Sequence, residues 1–384
     1  MPLVNQSGPN CSVLLQLFNR IDSTVTHSSS SALAKLGEFG LISRIVSGVI
    51  AHERVITGIG DDAAVTALST GMQLLTSTDM LLEDVHFRRA WHDPYRLGRK
   101  SLAVSISDIA AMGAIPRWSL LSLAIPPDFS LDFVDDFMRG FLAVASENQV
   151  VLIGGDTCSS RSGLTISVTI MGEQFPDRIV RRSGAKPNDD IWVTGTLGDA
   201  ALGLKLVEKA GFDSAQPPKS AQPPGSAVPT SCSQSGVEGD DFLLSRLLDP
   251  NPRVSAALAL SEAGLATAMI DVSDGVLADY GHIAEQSGVG GCIRLDDLPL
   301  SADFLRHTVQ LPAIPYQLAL SGGEDYELCF TAHSSDREKI VDCVKKCGIA
   351  VTRVGIVTSS PGVTAVNPDG SPYIAKTEGF NHFT

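Results

Sequence analysis

From about residue 34 to the C-terminus, short apolar runs alternate with stretches of helical period, joined by turns in which glycine and aspartate stand side by side. This alternation restricts the chain to a mixed α/β or α+β architecture with short connections. Strand signals lie at 54–57, 73–77, 120–125, 150–153, 164–172, 190–194, 269–272 and 327–331. Helical signals lie at 96–112, 131–148, 199–210, 241–248, 252–263 and 335–347, the first closed by Gly113. At roughly 150 residues per domain, the length predicts two domains. The boundary is expected between Gly172 and Lys186, giving an N-terminal domain over 34–172 and a C-terminal domain over 173–384.

Two segments break the pattern. Residues 1–33 are rich in Ser, Thr, Asn and Gln and read as a disordered polar leader. Residues 212–239 contain SAQPP twice, at 214–218 and 220–224 around Lys219. Paired prolines bar both helix and sheet ladder, and little there can be buried. A disordered, proline-rich insertion is expected.

The net charge is −14, from 29 basic and 43 acidic residues, which argues against a nucleic-acid partner. It does not exclude phosphate substrates, since carboxylates can hold Mg²⁺ and the cation can hold phosphate. No apolar run reaches the ~18 residues of a membrane span, and without a basic n-region followed by an apolar core near residue 1, no secretory signal is expected. Seven cysteines without a CxxC suit free thiols in a reducing cytoplasm.

Aspartates recur in glycine-rich turns and at strand ends: Gly60-Asp61-Asp62, Ser77-Thr78-Asp79, Ser107-Asp108, Gly154-Gly155-Asp156, Asp271-Val272-Ser273-Asp274-Gly275 and Gly322-Gly323-Glu324-Asp325. Any one reads as a plain turn. Asp108 is different. On a helix it shares a face with Val104, Ala111 and Met112, and no Lys or Arg three or four residues away neutralises it. The six together favour a shared cation site. Gly58-x-Gly60-x-x-Ala63 matches a dinucleotide fingerprint, but no helix opens there and Asp61 and Asp62 would repel a pyrophosphate. No GxxxxGK[ST], kinase catalytic loop, GxSxG or HExxH occurs. An ATP enzyme built this way would hold triphosphate through Mg²⁺ on aspartates. His86 follows the Asp79 strand and reads either as structural or as functional. Arg181-Arg182 reads either as a solvated pair or as a phosphate clamp.

In order, the segments GIGDDAAV (58–65), STDMLLEDVHF (77–87), KSLAVSISDIAAMGA (100–114), IGGDT (153–157), RRSGAKPND (181–189), VTGTLGDAALGL (193–204), IDVSDGVLAD (270–279) and LSGGEDYELCF (320–330), after Gly37-Glu38-Phe39, resemble the thiamine-monophosphate kinases of the aminoimidazole-ribonucleotide-synthetase-like superfamily. The resemblance implies a two-domain fold, with an N-terminal α/β domain dimerising through its sheet and a C-terminal α+β domain. It implies ATP-dependent phosphorylation of thiamine monophosphate to thiamine diphosphate, the last step of thiamine diphosphate biosynthesis, in a cytoplasmic homodimer. Carried over residue by residue, Mg²⁺ positions fall on Asp62, Ser77, Thr78, Asp79, Asp108, Asp156, Asp271 and Asp274, with Asp79, Asp108, Asp156 and Asp274 acting in catalysis through the metal and no general base. ATP contacts fall on Gly155, Asp156, Arg182 and Ser273, and substrate contacts on His86, Glu324 and Phe380. The alternatives are another ATP-dependent enzyme of the superfamily, such as a selenide-activating, hydrogenase-maturation or purine-pathway member, or a non-catalytic nucleotide- or metal-binding relative.

Overall fold

Asp93 starts the helix on which the N-terminal half is organised. Its side chain accepts from Arg96 N at 3.0 Å, and Pro94 occupies the first turn, where its missing N–H is no loss. The structure is a computed structural model that describes residues 32–50, 52–60, 62–209, 240–309, 316–376 and 379. The leader through residue 31, the proline-rich insertion at 212–239 and Phe380 lie outside these described residues.

In chain order the helices are α1 (Ala32–Val46), α2 (Pro94–Ala111), α3 (Leu131–Glu147), α4 (Asp199–Lys209), α5 (Asp240–Leu248), α6 (Val254–Glu262), α7 (Val276–Ser287), α8 (Ala302–Thr308), α9 (Tyr316–Ser321) and α10 (Arg337–Lys345). The strands are β1 (Val55–Thr57), β2 (Val65–Thr66), β3 (Gln73–Leu82), β4 (Ile115–Ile125), β5 (Val151–Ser159), β6 (Thr165–Gln174), β7 (Asp190–Thr194), β8 (Ala268–Val272), β9 (Gly290–Arg294), β10 (Glu327–Ala332), β11 (Val351–Thr358), β12 (Gly362–Val366) and β13 (Pro372–Tyr373).

The N-terminal sheet has the order β3-β6-β4-β5, antiparallel except for the parallel β4–β5 pair. One face buries Ile166, Val168 and Ile170 of β6 beneath α2 and α3, which add Leu97, Leu102, Ile106 and Phe141. Each such side chain contributes about 1.5–3 kcal/mol on leaving water. The alternate residues of β6, Thr165, Ser167, Thr169 and Met171, remain half-exposed on the other face. The two helices cross at Gly98 and Gly140, where any Cβ would fall 1.9 Å from a carbonyl oxygen of the opposite helix.

The C-terminal sheet has the order β13-β12-β9-β11-β7-β10-β8 and packs against α7 through Tyr280, Ile283 and Ala284. A third apolar cluster joins the halves. Ala110 and Ala111 of α2 pack with Trp192, Met269, Phe330, Ala256 and Leu260. The mixed two-domain architecture expected from the sequence is present, with α2 at the seam.

Candidate active site

The period of two along β3 turns Leu75, Ser77, Asp79 and Leu81 toward α2, while Thr76, Thr78 and Met80 face outward. Across from β3, α2 presents Ser107 and Asp108, and β8 of the other domain carries Asp271 one residue before its end. These residues meet. Ser77 Oγ donates to Asp108 Oδ2, and Ser107 Oγ donates to Asp271 Oδ2 at 2.6 Å. Asp79 Oδ2 is buried without a hydrogen-bond partner. A cavity of about 180 Å³ opens here, lined by Ser77, Asp108, Arg182 and Asp271 on its polar side and by Ile109, Met112 and Met269 on its apolar side.

Burial and like charge act together on the three acids. Burial, then the neighbouring Asp108, raises Asp79 to about 6. Burial, then Asp108 and Asp79, raises Asp271 to about 7. Asp108 is also raised by burial, while the Ser77 hydroxyl and the Arg182 charge pull it down. Carboxylates held this close disfavour one another's charge, and a cation reverses that penalty. Among the described residues, no three His, Cys, Asp or Glu side chains already surround a single point as metal ligands. The donor set still fits Mg²⁺, because it consists of hard carboxylate and hydroxyl oxygens, one of them buried and unpartnered.

The turn after β8 carries Ser273 and Asp274. Its three successive amides, from Ser273, Asp274 and Gly275, all donate to Asp279 Oδ2 at 3.0–3.1 Å. Asp279, the last residue of the 270–279 segment, thereby shapes this turn. Burial, then Asp271 and Asp274, holds its carboxyl well above the usual range. Glu324 N donates to Ser273 O at 2.8 Å, which lays the Gly-Gly-Glu-Asp loop on the same turn. Glu324 also forms an ion pair with Lys100 of α2, a residue that carried no functional signal in the sequence. Gly379 lies against Asp274 and Ala278, so the chain returns to this turn one residue before Phe380.

Other expected residues stand apart from the acidic trio. Thr78 Oγ1 donates to Val168 O at 3.2 Å on the outer face of the sheet. Asp79, Val168, Leu121 and Gly155 form one row across four strands, so Gly155 stands roughly 14 Å from β3 at ~4.8 Å per strand. Gly155 has φ +155°, and a Cβ there would meet Leu121 O at 1.8 Å. Asp156 pairs with Ser122, in the row of Ser167 and Met80 on the outer face. Asp62 is exposed in the loop between β1 and β2. That hairpin is tied to the sheet by buried Glu173, which accepts from Ser69 N at 2.8 Å, Ser69 Oγ at 2.6 Å and Arg54 Nη1 at 3.2 Å. His86 Nδ1 accepts from Leu82 N at 3.0 Å, so Nδ1 carries no proton there. This bond closes the turn at the end of β3.

Residues 60–174 match the family model described as AIR synthase related protein, N-terminal domain, and residues 186–366 match its C-terminal domain. The chain is 37% identical to the thiamine-monophosphate kinase of Salmonella typhimurium over 350 residues, covering 90% of this chain and 98% of that protein. Its fold is similar to the crystal structure of thiamine-monophosphate kinase from Stenotrophomonas maltophilia, with TM-score 0.73 and 36% identity over 87% of this chain and 96% of that one. It is also similar to AaThiL complexed with AMPPCP and TMP, with TM-score 0.67 and 31% identity over 93% and 100% of the two chains.

Proposed function

The chain belongs to the thiamine-monophosphate kinases, within the AIR synthase related proteins, and from that premise we propose how its residues divide the reaction. The enzyme transfers the γ-phosphoryl group of ATP to thiamine monophosphate, giving thiamine diphosphate and ADP. The observation that carries this reading is the meeting of Asp108, Asp271 and Arg182 around one cavity at the seam between the domains, with Asp79 near enough for its charge to act on Asp108 and Asp271.

Asp79, Asp108 and Asp271, with the Ser77 hydroxyl, would hold Mg²⁺. Asp274, Asp62, Asp156 and Thr78 are proposed for further Mg²⁺ ions, since Asp62, Asp156 and the Thr78 side chain stand apart from this trio. Bound Mg²⁺ supplies charge neutralisation between two phosphate anions that must approach in line. Arg182, exposed at the cavity rim, binds a phosphate oxygen of ATP, a task for which the planar guanidinium is well shaped. Ser273, Gly155 and Asp156 contribute the remaining ATP contacts. At Gly155 the missing side chain makes room for the neighbouring strand, since a Cβ there would meet Leu121 O at 1.8 Å.

On the acceptor side we place His86, Glu324 and Phe380. His86, held at the end of β3 by the bond from Leu82 N to its Nδ1, is given the acceptor phosphate in this reading. Glu324 keeps 29% of its side chain exposed, and that part faces the thiazolium cation in this reading. No side chain needs to act as general base, because the second pKa of a phosphate monoester is near 6. The acceptor oxygen is therefore already deprotonated at pH 7 and above.

We further propose a homodimer formed through the N-terminal sheet. Its open face carries Thr165, Ser167, Thr169 and Met171 half-exposed, with Met80 56% exposed beside them. A dimer mass in solution at micromolar concentration is the expected result. We place the enzyme in the cytoplasm, where ATP is available and free thiols such as those of Cys158 and Cys292 persist. Among the described residues, no helix is long and apolar enough to cross a membrane.

The deciding experiment incubates the purified chain with ATP, thiamine monophosphate and either Mg²⁺ or a chelator, and measures thiamine diphosphate directly. Product that depends on Mg²⁺ supports the reading. ATP turnover that ignores thiamine monophosphate, or proceeds with selenide or a purine precursor, would overturn it in favour of a sister enzyme.

A further inference from the structure

Lys100 is fully buried on α2, at 0% exposure. A buried ammonium is costly unless paired and hydrogen-bonded. Its Nζ donates to Leu247 O in the last turn of α5 at 3.0 Å and forms the ion pair with Glu324 Oε2. Lys100 and Ser107 are seven residues apart, two helical turns and about 10 Å along one face. That face therefore ties the C-terminal domain twice: Lys100 to the Gly-Gly-Glu-Asp loop, and Ser107 to Asp271.

The loop needs such a tie. Glu324 has φ +73° and Tyr326 φ +50°, in a region that non-glycine residues rarely adopt and that persists only where the surroundings hold it. The backbone holds part of it, through Glu324 N to Ser273 O and Tyr326 N to Val272 O, both at 2.8 Å. Gly198 N and Arg246 Nη2 hold the intervening Asp325, at 2.8 and 2.9 Å. None of these bonds involves the Glu324 carboxylate. Lys100 is the cation that fixes its direction.

We propose that Lys100 is a positioning residue for phosphoryl transfer: it clamps the Glu324 carboxylate, and with it the 321–326 loop, against the Ser273 turn. Its effect on turnover rests on the acceptor-side role given to Glu324 above, while its effect on the loop does not. The pair leaves Glu324 with one direction of approach to substrate. It also links α2, which carries Asp108, to the acceptor side, so that a single rigid helix sets both halves of the site.

The test uses the full chain with Lys100→Met, Glu324→Gln and the double variant. Hydrogen exchange over 320–328, measured without substrate, is expected to quicken about tenfold or more in Lys100→Met, with α3 unchanged, as for local opening of a released segment. Unchanged exchange there overturns the proposal. In turnover, Lys100→Met should raise KM for thiamine monophosphate about tenfold and leave KM for ATP within about twofold. The double variant should be no worse than Glu324→Gln alone, because contacting residues are non-additive. Additive losses, or equal rises in both KM values, overturn the proposal. If Lys100→Met does not fold, the double variant buries no unpaired charge and gives the same comparison with Glu324→Gln: equal exchange and kinetics support the clamp, and further loss overturns it. Faster exchange in Lys100→Met, with no effect of Glu324→Gln on either KM, would remove the acceptor role of Glu324 while supporting the clamp.

Discussion

Ser107 Oγ donates to Asp271 Oδ2 at 2.6 Å across the seam between the domains. The next residue on the same helix, Asp108, accepts from Ser77 of the N-terminal sheet. Two consecutive positions on α2 thus look in different directions and tie the middle of β3 to the end of β8. Asp271 sits at 4% exposure, so its carboxylate has little access to water in place of that hydroxyl. Ser107→Ala should therefore cost about 1–3 kcal/mol of stability, the usual penalty for stripping a partner from a buried polar group. Urea unfolding at pH 8 measures it. A change under about 0.5 kcal/mol, the range of an ordinary surface substitution, would show that the bond does not hold the seam.

Asp325 gives a stability signature with a definite sign. Burial raises its carboxyl from 3.8 to about 8, against the opposing pull of the Gly198 amide and Arg246. A folded-state value above the unfolded one contributes stability that is complete below pH 3.8 and lost as pH rises through about 8. The wild-type chain should lose stability between pH 6 and 9. Asp325→Asn, neutral throughout, should lose less over the same interval and overtake wild type at the alkaline end. Unfolding free energies at the two pH values decide it, and parallel slopes for the two proteins would contradict the buried-acid account.

The expected helices match the structure closely where capping chemistry is local. The stretches at 96–112 and 131–148 are observed as Pro94–Ala111 and Leu131–Glu147, opened by Asp93 and Ser130. The strand signals stop short where aspartate, glycine or proline interrupts the apolar run. The strand expected at 73–77 continues to Leu82, because Thr78, Asp79 and Met80 keep alternating although Asp is a poor strand former. The strand expected at 150–153 runs to Ser159 through Gly154-Gly155-Asp156. The strand expected at 120–125 begins at Ile115, since Pro116 sits at a register shift that tolerates proline. Strands β2, β9, β11, β12 and β13 and helices α1, α7, α8 and α9 have no counterpart among the expected elements. In the site, Asp79, Asp108 and Asp271 could be singled out because aspartate at a strand end or on an apolar helix face is conspicuous. Lys100 and Ser107 could not, because their partners Glu324 and Asp271 lie 224 and 164 residues away. Asp279 gives no such signal although its partners, the amides of residues 273–275, are local, because an aspartate in the first turn of a helix is common.

At Gly98 two opposing effects can be compared by size. Alanine in a helix interior is favoured over glycine by roughly 0.5–1 kcal/mol. A Cβ at Gly98, however, would lie 1.9 Å from Phe137 O and 2.9 Å from Phe141 N, both backbone atoms of α3. Overpacking of this kind costs about 1–3 kcal/mol or more, so the clash wins. Gly98→Ala should lower the melting temperature, and Gly140→Ala, which would meet Tyr95 O at 1.9 Å, should do the same. A stabilised Gly98→Ala variant would mean that α2 and α3 do not cross at this distance.

The acceptor in the proposed reaction is itself a phosphate, with its second pKa near 6, so no proton needs removing before attack at pH 7. What the site must overcome is repulsion between two anions. Asp79 is placed for this, on the inward face of β3, half-buried, raised to about 6, and with its buried Oδ2 lacking a hydrogen-bond partner among the described residues. Asp79→Asn keeps the shape but removes the charge, and should lower kcat by roughly 10²-fold or more, as loss of a preorganised electrostatic contact does. Asp274→Asn, on the turn shaped by Asp279, should act in the same direction. No phosphorylated residue should form on the way. A single displacement requires that ATP made chiral at its γ-phosphorus yield product with inverted configuration. Retention, or a phosphoenzyme trapped by rapid quench, would show two successive transfers and displace the in-line mechanism.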